Sequence, residues 1–166
     1  MPQNTALPLL GQNALVTGAS KGIGKSIALT LAAAGASVAV NYNSDRAGAE
    51  SVASEIEGLG RRAIVIQADV GNSGDVERMF GEAFVELSPL TILVNNAGIQ
   101  TWKPLLDLTE AEWDRVIDVN LKGCFLCTQQ AARHMRGHQI GGSIVNLGSG
   151  CNKSPFPNLS NYTASK

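Results

Sequence analysis

The sequence predicts an α/β fold: a doubly wound parallel sheet with helices on both faces. Short apolar runs alternate with amphipathic stretches from residue 13 onward, the order that builds parallel sheets through helical crossovers. The runs at 63–66 (Ala-Ile-Val-Ile), 91–94 (Thr-Ile-Leu-Val) and 143–145 (Ser-Ile-Val) are nearly continuous in apolar residues, as expected of strands covered on both faces. The chain has 166 residues, 44% hydrophobic and 16% charged. That suits one globular domain with a sizeable core.

The elements follow in order. Residues 13–17 form the first strand, and glycines lead into a helix over 23–34 that stops at Gly35. A second strand spans 36–42, followed by a helix over 47–59 closed by Gly60. The third strand spans 63–68, and a helix over 73–87 has Ser73 as its expected N-cap. The fourth strand is 91–95, and Thr109 opens a helix with Glu112 three residues on, the pattern of a capping box. A longer helix is expected over 120–136, and 143–147 is the fifth strand. No solenoid repeat, low-complexity tract or domain linker interrupts this pattern.

Composition removes several function classes. A net charge of −1 gives no nucleic-acid footprint and no attraction to an anionic membrane. No apolar run reaches membrane-spanning length. Residues 1–12 lack a basic n-region and read as a frayed terminus leading into the first strand. Three cysteines make no disulfide framework, so a reducing, cytoplasmic location is expected. Cys124 and Cys127 form Cys-x-x-Cys inside a helix, which favours packing over redox or metal chemistry. His134 and His138 lie four apart with no further ligand suggested, so no metal is expected and a solvated helix end is the reading.

Thr17-Gly18-Ala19-Ser20-Lys21-Gly22-Ile23-Gly24 stands between the first strand and the first helix. Glycines there permit a tight turn and let a pyrophosphate approach the backbone. The helix N-terminus adds unpaired N–H groups and partial positive charge. The spacing differs from Gly-x-Gly-x-x-Gly, but the physics of a Rossmann-like dinucleotide loop is shared. A carboxylate at the end of the second strand would bind a ribose 2′-OH and repel a 2′-phosphate. Asn41-Tyr42-Asn43-Ser44 has no acid there. Lys21, Asn43, Ser44 and Arg46 are available to surround a phosphate, so NADP(H) is expected over NAD(H). Asp45 leaves NAD(H) open; the alternative is that 43–45 is only a turn and helix cap.

Tyr162 and Lys166 are four apart, a spacing that puts both on one helix face. An ammonium beside a phenol favours the phenolate and suits it to proton transfer. The set Thr-Gly-x-x-x-Gly-x-Gly at 17–24, Asp69-Val70, Asn-Asn-Ala-Gly at 95–98, Asn120, Ser149 and Tyr162-x-x-x-Lys166 resembles the short-chain dehydrogenase/reductase family in its single-domain form. The Asn-Tyr-Asn-Ser and Pro155-Phe156-Pro157 segments lean toward 3-oxoacyl-thioester reductases and glucose-dehydrogenase-like members.

The resemblance implies a Rossmann-like sheet of strand order 3-2-1-4-5 over the portion present. It implies an oxidoreductase that transfers hydride between NADP(H) and a carbonyl or secondary alcohol. Tyr162 would be the general acid or base, and Lys166 would tune it and bond the nicotinamide ribose. Ser149 would hold the substrate oxygen, although Gly148 stands where the family often has another serine. Asn120 would hold a water on a proton path; the alternative is a helix cap. Gly18, Ser20, Lys21, Gly22, Ile23, Gly24, Asn41, Tyr42, Asn43 and Ser44 would contact the cofactor. Asp69 and Val70 would border the adenine, and Asn96, Ala97 and Gly98 would line the cofactor. Asn95 reads as structural. Gln100, Trp102, Cys151 and Phe156 are candidates for the substrate wall.

Family members continue past Tyr-x-x-x-Lys, so the chain reads as a single domain, 1–166, lacking C-terminal strands and helices. The fifth strand would then be an exposed edge, and a helix starting near Tyr162 would be short. A homotetramer or dimer is expected of the full-length form. The alternative to an active reductase is a non-catalytic nucleotide-binding fragment.

Overall fold

The structure, a computed structural model, describes residues 7–166. Strands β1 (Asn13–Val16), β2 (Ser37–Tyr42), β3 (Ala63–Gln67), β4 (Ile92–Asn95) and β5 (Ser143–Asn146) form one parallel sheet in the order β3-β2-β1-β4-β5. This is the expected Rossmann-like order. Val16 lies level with Val40 and Val94, so β1 stops first, with β2 running two residues and β4 one residue further. The crevice for a ligand opens beyond these strand ends, where the order reverses between β1 and β4.

Alternation along each strand builds two cores. Ala14, Val16, Val38, Val40 and Val94 face α1 (Gly22–Ala33) and α2 (Arg46–Gly58). Ala28 and Ala32 bring α1 close to that face. Leu15, Ala39, Ile66 and Leu93 meet Met79 and Phe80 of α3 (Ser73–Glu86) and Cys127 and Ala131 of α5 (Gly123–Gly137).

Several local expectations are corrected. The N-cap of α3 is Asn72, whose Oδ1 accepts from Asp75 N at 3.1 Å, not Ser73. The helix expected to begin near Asn120 does not begin there. Helix α4 (Glu110–Ile117) runs through a π-helical segment, Asp118–Lys122, into α5, so Asn120 is mid-rod and no cap. The Thr109–Glu112 capping box is present. β5 pairs only with β4 and forms the expected sheet edge, but it is not covered on both faces as its apolar run suggested, since Val145 is 49% exposed. The last helix, α6 (Ser160–Ser165), starts two residues before Tyr162. Residues 1–6 of the N-terminal segment lie outside the described residues, and Leu9 N–H is tied to Ala34 O at 2.9 Å. His134 is buried rather than solvated: it stacks on Phe84 at 4.0 Å, and its Nε2 accepts from Leu90 N at 3.2 Å.

Candidate active site

A cleft of about 460 Å³ opens at the C-terminal strand ends, lined by the nucleotide loop, the end of β2, Asp69-Val70 and the Asn96–Ile99 turn. Ile23, Asn96, Gly98 and Ile99 also line a second cleft of about 330 Å³, which contains Tyr162 and Lys166. One continuous groove therefore runs from the end of β2 to the tyrosine.

The loop entering α1 is shaped for an anion. Gly22 has φ +57°, and a Cβ there would meet nothing within 4 Å, so the turn faces open space. At Gly24 a Cβ would lie 2.3 Å from Gly18 O and 2.5 Å from Asn96 Nδ2; only glycine lets loop and helix pack this closely. The first turn of α1 has no acid and no side-chain cap, leaving its N–H groups and dipole directed at the groove. These features fit a dinucleotide pyrophosphate. Ser20 and Lys21 line the same cleft.

Three asparagines, Asn41 and Asn96 expected at the cofactor and Asn120 expected to hold a water, also brace the surrounding backbone with their side chains. Asn41 is buried; its Oδ1 accepts from Gly18 N at 3.0 Å and its Nδ2 donates to Ala68 O at 3.2 Å. It borders the cleft, tying the loop to the ends of β2 and β3 through these atoms. Asn96 Nδ2 donates to Thr17 O at 2.8 Å and to Gly18 O at 3.0 Å. Asn120 accepts from Ile99 N at 2.8 Å and donates to Ile99 O at 2.9 Å and Ser165 Oγ at 2.8 Å. Asn95 bonds Thr128 and Asn146, as a structural residue would.

At the β2 end, Tyr42, Asn43, Ser44 and Asp45 line the cleft. Asp45 caps α2 through Gly48 N at 3.0 Å. Arg46 is not in the lining; its Nε turns to Glu50 at 2.7 Å. Asp69 accepts from Gly71 N at 2.9 Å with one oxygen and pairs with Arg115 at 2.8 Å through the other.

Lys166 Nζ donates to Leu147 O at 3.1 Å and lies 5.9 Å from the Tyr162 ring centroid. Burial holds the Lys166 ammonium below its ordinary pKa. A Cβ on Gly98 would come within 3.4 Å of Lys166 Nζ and Asn120 Oδ1. Ser149 is not in the lining, although Gly148 is. Its Oγ accepts from Cys151 N at 3.3 Å, which leaves the O–H free to donate. Of the substrate-wall candidates, Gln100 lines the tyrosine cleft, Trp102 and Phe156 are exposed, and Cys151 is buried. Cys127 is buried in the core and its thiol is pushed up to about 12 by desolvation, which makes it inert.

Sequence reasoning gave Thr17, Arg115, Asn161 and Ser165 no individual role. Thr17 Oγ1 accepts from both Asn96 N and Ala97 N at 3.0 Å. Only the pairing of Thr17 with the 95–98 turn, across the sheet, would have signalled it.

The model of the family described as short chain dehydrogenase matches residues 12–166. This chain belongs to that family. It is 46% identical over 155 residues to the 3-oxoacyl-[acyl-carrier-protein] reductase FabG of Staphylococcus aureus, covering 93% of this chain and 63% of that protein. It is 45% identical to a short-chain type dehydrogenase/reductase of Picea abies, covering 94% of this chain and 60% of the relative. Among solved structures, a short chain dehydrogenase from Burkholderia cenocepacia in complex with NADP superposes with a TM-score of 0.90 at 42% identity, over 96% of this chain and 64% of that one. A dehydrogenase/reductase from Sinorhizobium meliloti gives 0.90 at 40% identity, over 97% and 63%. The chain thus spans under two thirds of the length of these relatives. Among the described residues, no helix is long and apolar enough to cross a membrane.

Proposed function

We propose that this chain carries the cofactor-binding and proton-transfer machinery of an NADP(H)-dependent carbonyl reductase, acting on a 3-oxoacyl thioester or a small ketone or sugar. The observation that carries it is the continuous groove, with an anion-binding helix start at one end and Tyr162 with Lys166 at the other. A bound nicotinamide supplies or accepts the hydride. Tyr162 gives its phenolic proton to the carbonyl oxygen in reduction and takes it back in oxidation. Lys166, with its Nζ 5.9 Å from the Tyr162 ring centroid, would bond the nicotinamide ribose. The free O–H of Ser149 donates to the substrate oxygen as charge develops on it. Gly18 to Gly24 hold the pyrophosphate, Asp69 and Val70 border the adenine, and Asn96 to Gly98 floor the nicotinamide end. Lys21, Asn43 and Ser44 surround a 2′-phosphate, with no acid among residues 41–44.

Exposed Leu121 and Phe125, four apart on the π–α5 rod, support burial in a dimer or tetramer of the intact protein. The exposed β5 edge favours a second reading for these residues taken alone, nucleotide binding without turnover.

The test is reduction of acetoacetyl-CoA and a panel of small ketones and sugars, with NADPH and NADH compared. Turnover with a lower Michaelis constant for NADPH is expected. A clear NADH preference would refute the cofactor assignment, and binding without turnover of any carbonyl would refute the reductase assignment.

A further inference from the structure

The backbone of Tyr162 is gripped from both sides by buried side chains. Its N–H donates to Asn161 Oδ1 at 2.8 Å, and its C=O accepts from Ser165 Oγ at 2.7 Å. Asn161 is 1% exposed and Ser165 is 5% exposed. Each is held in turn by the α4–π–α5 rod. Asn161 Nδ2 donates to Glu112 O at 3.3 Å, and Ser165 Oγ accepts from Asn120 Nδ2 at 2.8 Å.

The need for such a grip follows from α6. Six residues are too few to sustain a helix by themselves. Leu159, at the N-cap, offers no side-chain acceptor, so Asn161 satisfies an amide of the first turn that the helix cannot. At the other end, the π segment widens the rod and turns both Val119 and Asn120 inward. There Asn120 spans Ile99, in the groove wall, and Ser165, beneath the tyrosine.

We propose that Asn161 and Ser165 are positioning residues that set the height and direction of Tyr162 over the groove, and that Asn120 acts on Tyr162 through Ser165. This rests on Tyr162 being the proton-transfer residue. The phenol must reach a reacting oxygen, and a misplacement of about 1 Å can cost on the order of 100-fold in rate. Neither Asn161 nor Ser165 lines the groove, so cofactor binding is independent of both.

The test uses the intact enzyme with NADPH and acetoacetyl-CoA. Ser165→Ala is expected to lower kcat about tenfold or more, with NADPH affinity by fluorescence titration unchanged within about twofold. Ser165→Thr, which keeps the hydroxyl, recovers part of the loss. Asn161→Ala, which removes the acceptor of Tyr162 N–H, shows the same kcat-only loss. Combining Asn120→Ala with Ser165→Ala gives a loss well short of the product of the single losses, because the two share one path. A Ser165→Ala enzyme with wild-type kcat, or losses that multiply, would overturn the proposal. So would kcat and NADPH affinity falling in step with thermal stability, the mark of a merely structural role. A wild-type enzyme that binds NADPH but reduces no carbonyl would instead overturn the reductase reading and, with it, this inference.

Discussion

Replacing Thr17 with valine should loosen the floor of the groove by a calculable amount. Thr17 is 1% exposed, and its Oγ1 is the acceptor for two consecutive backbone amides, Asn96 N and Ala97 N, each at 3.0 Å. Valine has nearly the same shape, so no cavity forms; the change is the loss of one acceptor. Asn96 N keeps Val94 O, at 3.1 Å, as an acceptor, so Ala97 N is the donor left without a partner. An unsatisfied buried donor costs about 1–3 kcal/mol, and the lower part of that range, about 1–2 kcal/mol, applies to a part-buried amide. For a chain of this length each kcal/mol moves the melting temperature by about 2–4 °C, so Thr17→Val should melt roughly 2–8 °C below the wild type. Thr17→Ser keeps the acceptor and should recover most of the loss. NADPH affinity should fall as well in the valine variant, since the Asn96–Gly98 turn is what Thr17 holds. Calorimetric melting with a parallel NADPH titration checks both. A valine variant melting within about 1 °C of wild type, with unchanged affinity, would refute the claim that this hydroxyl sets the turn.

Other expectations follow the same logic. Gly24→Ala should abolish nucleotide binding, because its Cβ would sit 2.3 Å from Gly18 O; binding retained in a titration would contradict it. Glu112 is held at about 2 by Lys103 Nζ and by the Thr109 amide and hydroxyl. Its folded pKa lies below its unfolded value near 4.5, so its contribution is complete above about 4.5 and is lost as pH falls toward 2. Glu112→Gln should therefore flatten stability against pH in that window, measured by denaturant melts. Burial, and then His138, hold His134 below its ordinary value of 6.5. Its neutral ring, the acceptor for Leu90 N, is fully stabilising above about 6.5, and stability drops as pH falls below that. His134→Gln should remove this slope, and an unchanged slope would assign it to other groups.

The parts of the fold legible in the sequence were those written in local pattern. Apolar runs and glycine stops marked all five strands, and Thr109 with Glu112 marked a helix start within the chain. The nucleotide loop was legible because its chemistry is local: a strand, three glycines and a helix start in eight residues. Contacts between distant segments were not. The periodicity around Asn120 reads as a helix beginning, because nothing in the local sequence announces a π turn that keeps α4 and α5 continuous. Asn41 and Asn120 read as cofactor and water ligands, but the bonds that brace them, to Gly18 and Ala68 and to Ile99 and Ser165, join distant segments and are not legible locally. The exposed Arg46–Glu50 pair was likewise not read from the sequence. Exposure of β5 was foreseeable from its place in the strand order, though not from Ser-Ile-Val itself.

The most direct measurement is turnover and NADPH binding by Tyr162→Phe beside the wild type, in the intact enzyme. Only the phenolic oxygen is removed, and the Asn161 and Ser165 bonds to the Tyr162 backbone are kept. Reduction should be abolished while the NADPH dissociation constant stays the same. A phenylalanine variant that reduces its carbonyl at the wild-type rate would show that proton transfer does not pass through Tyr162.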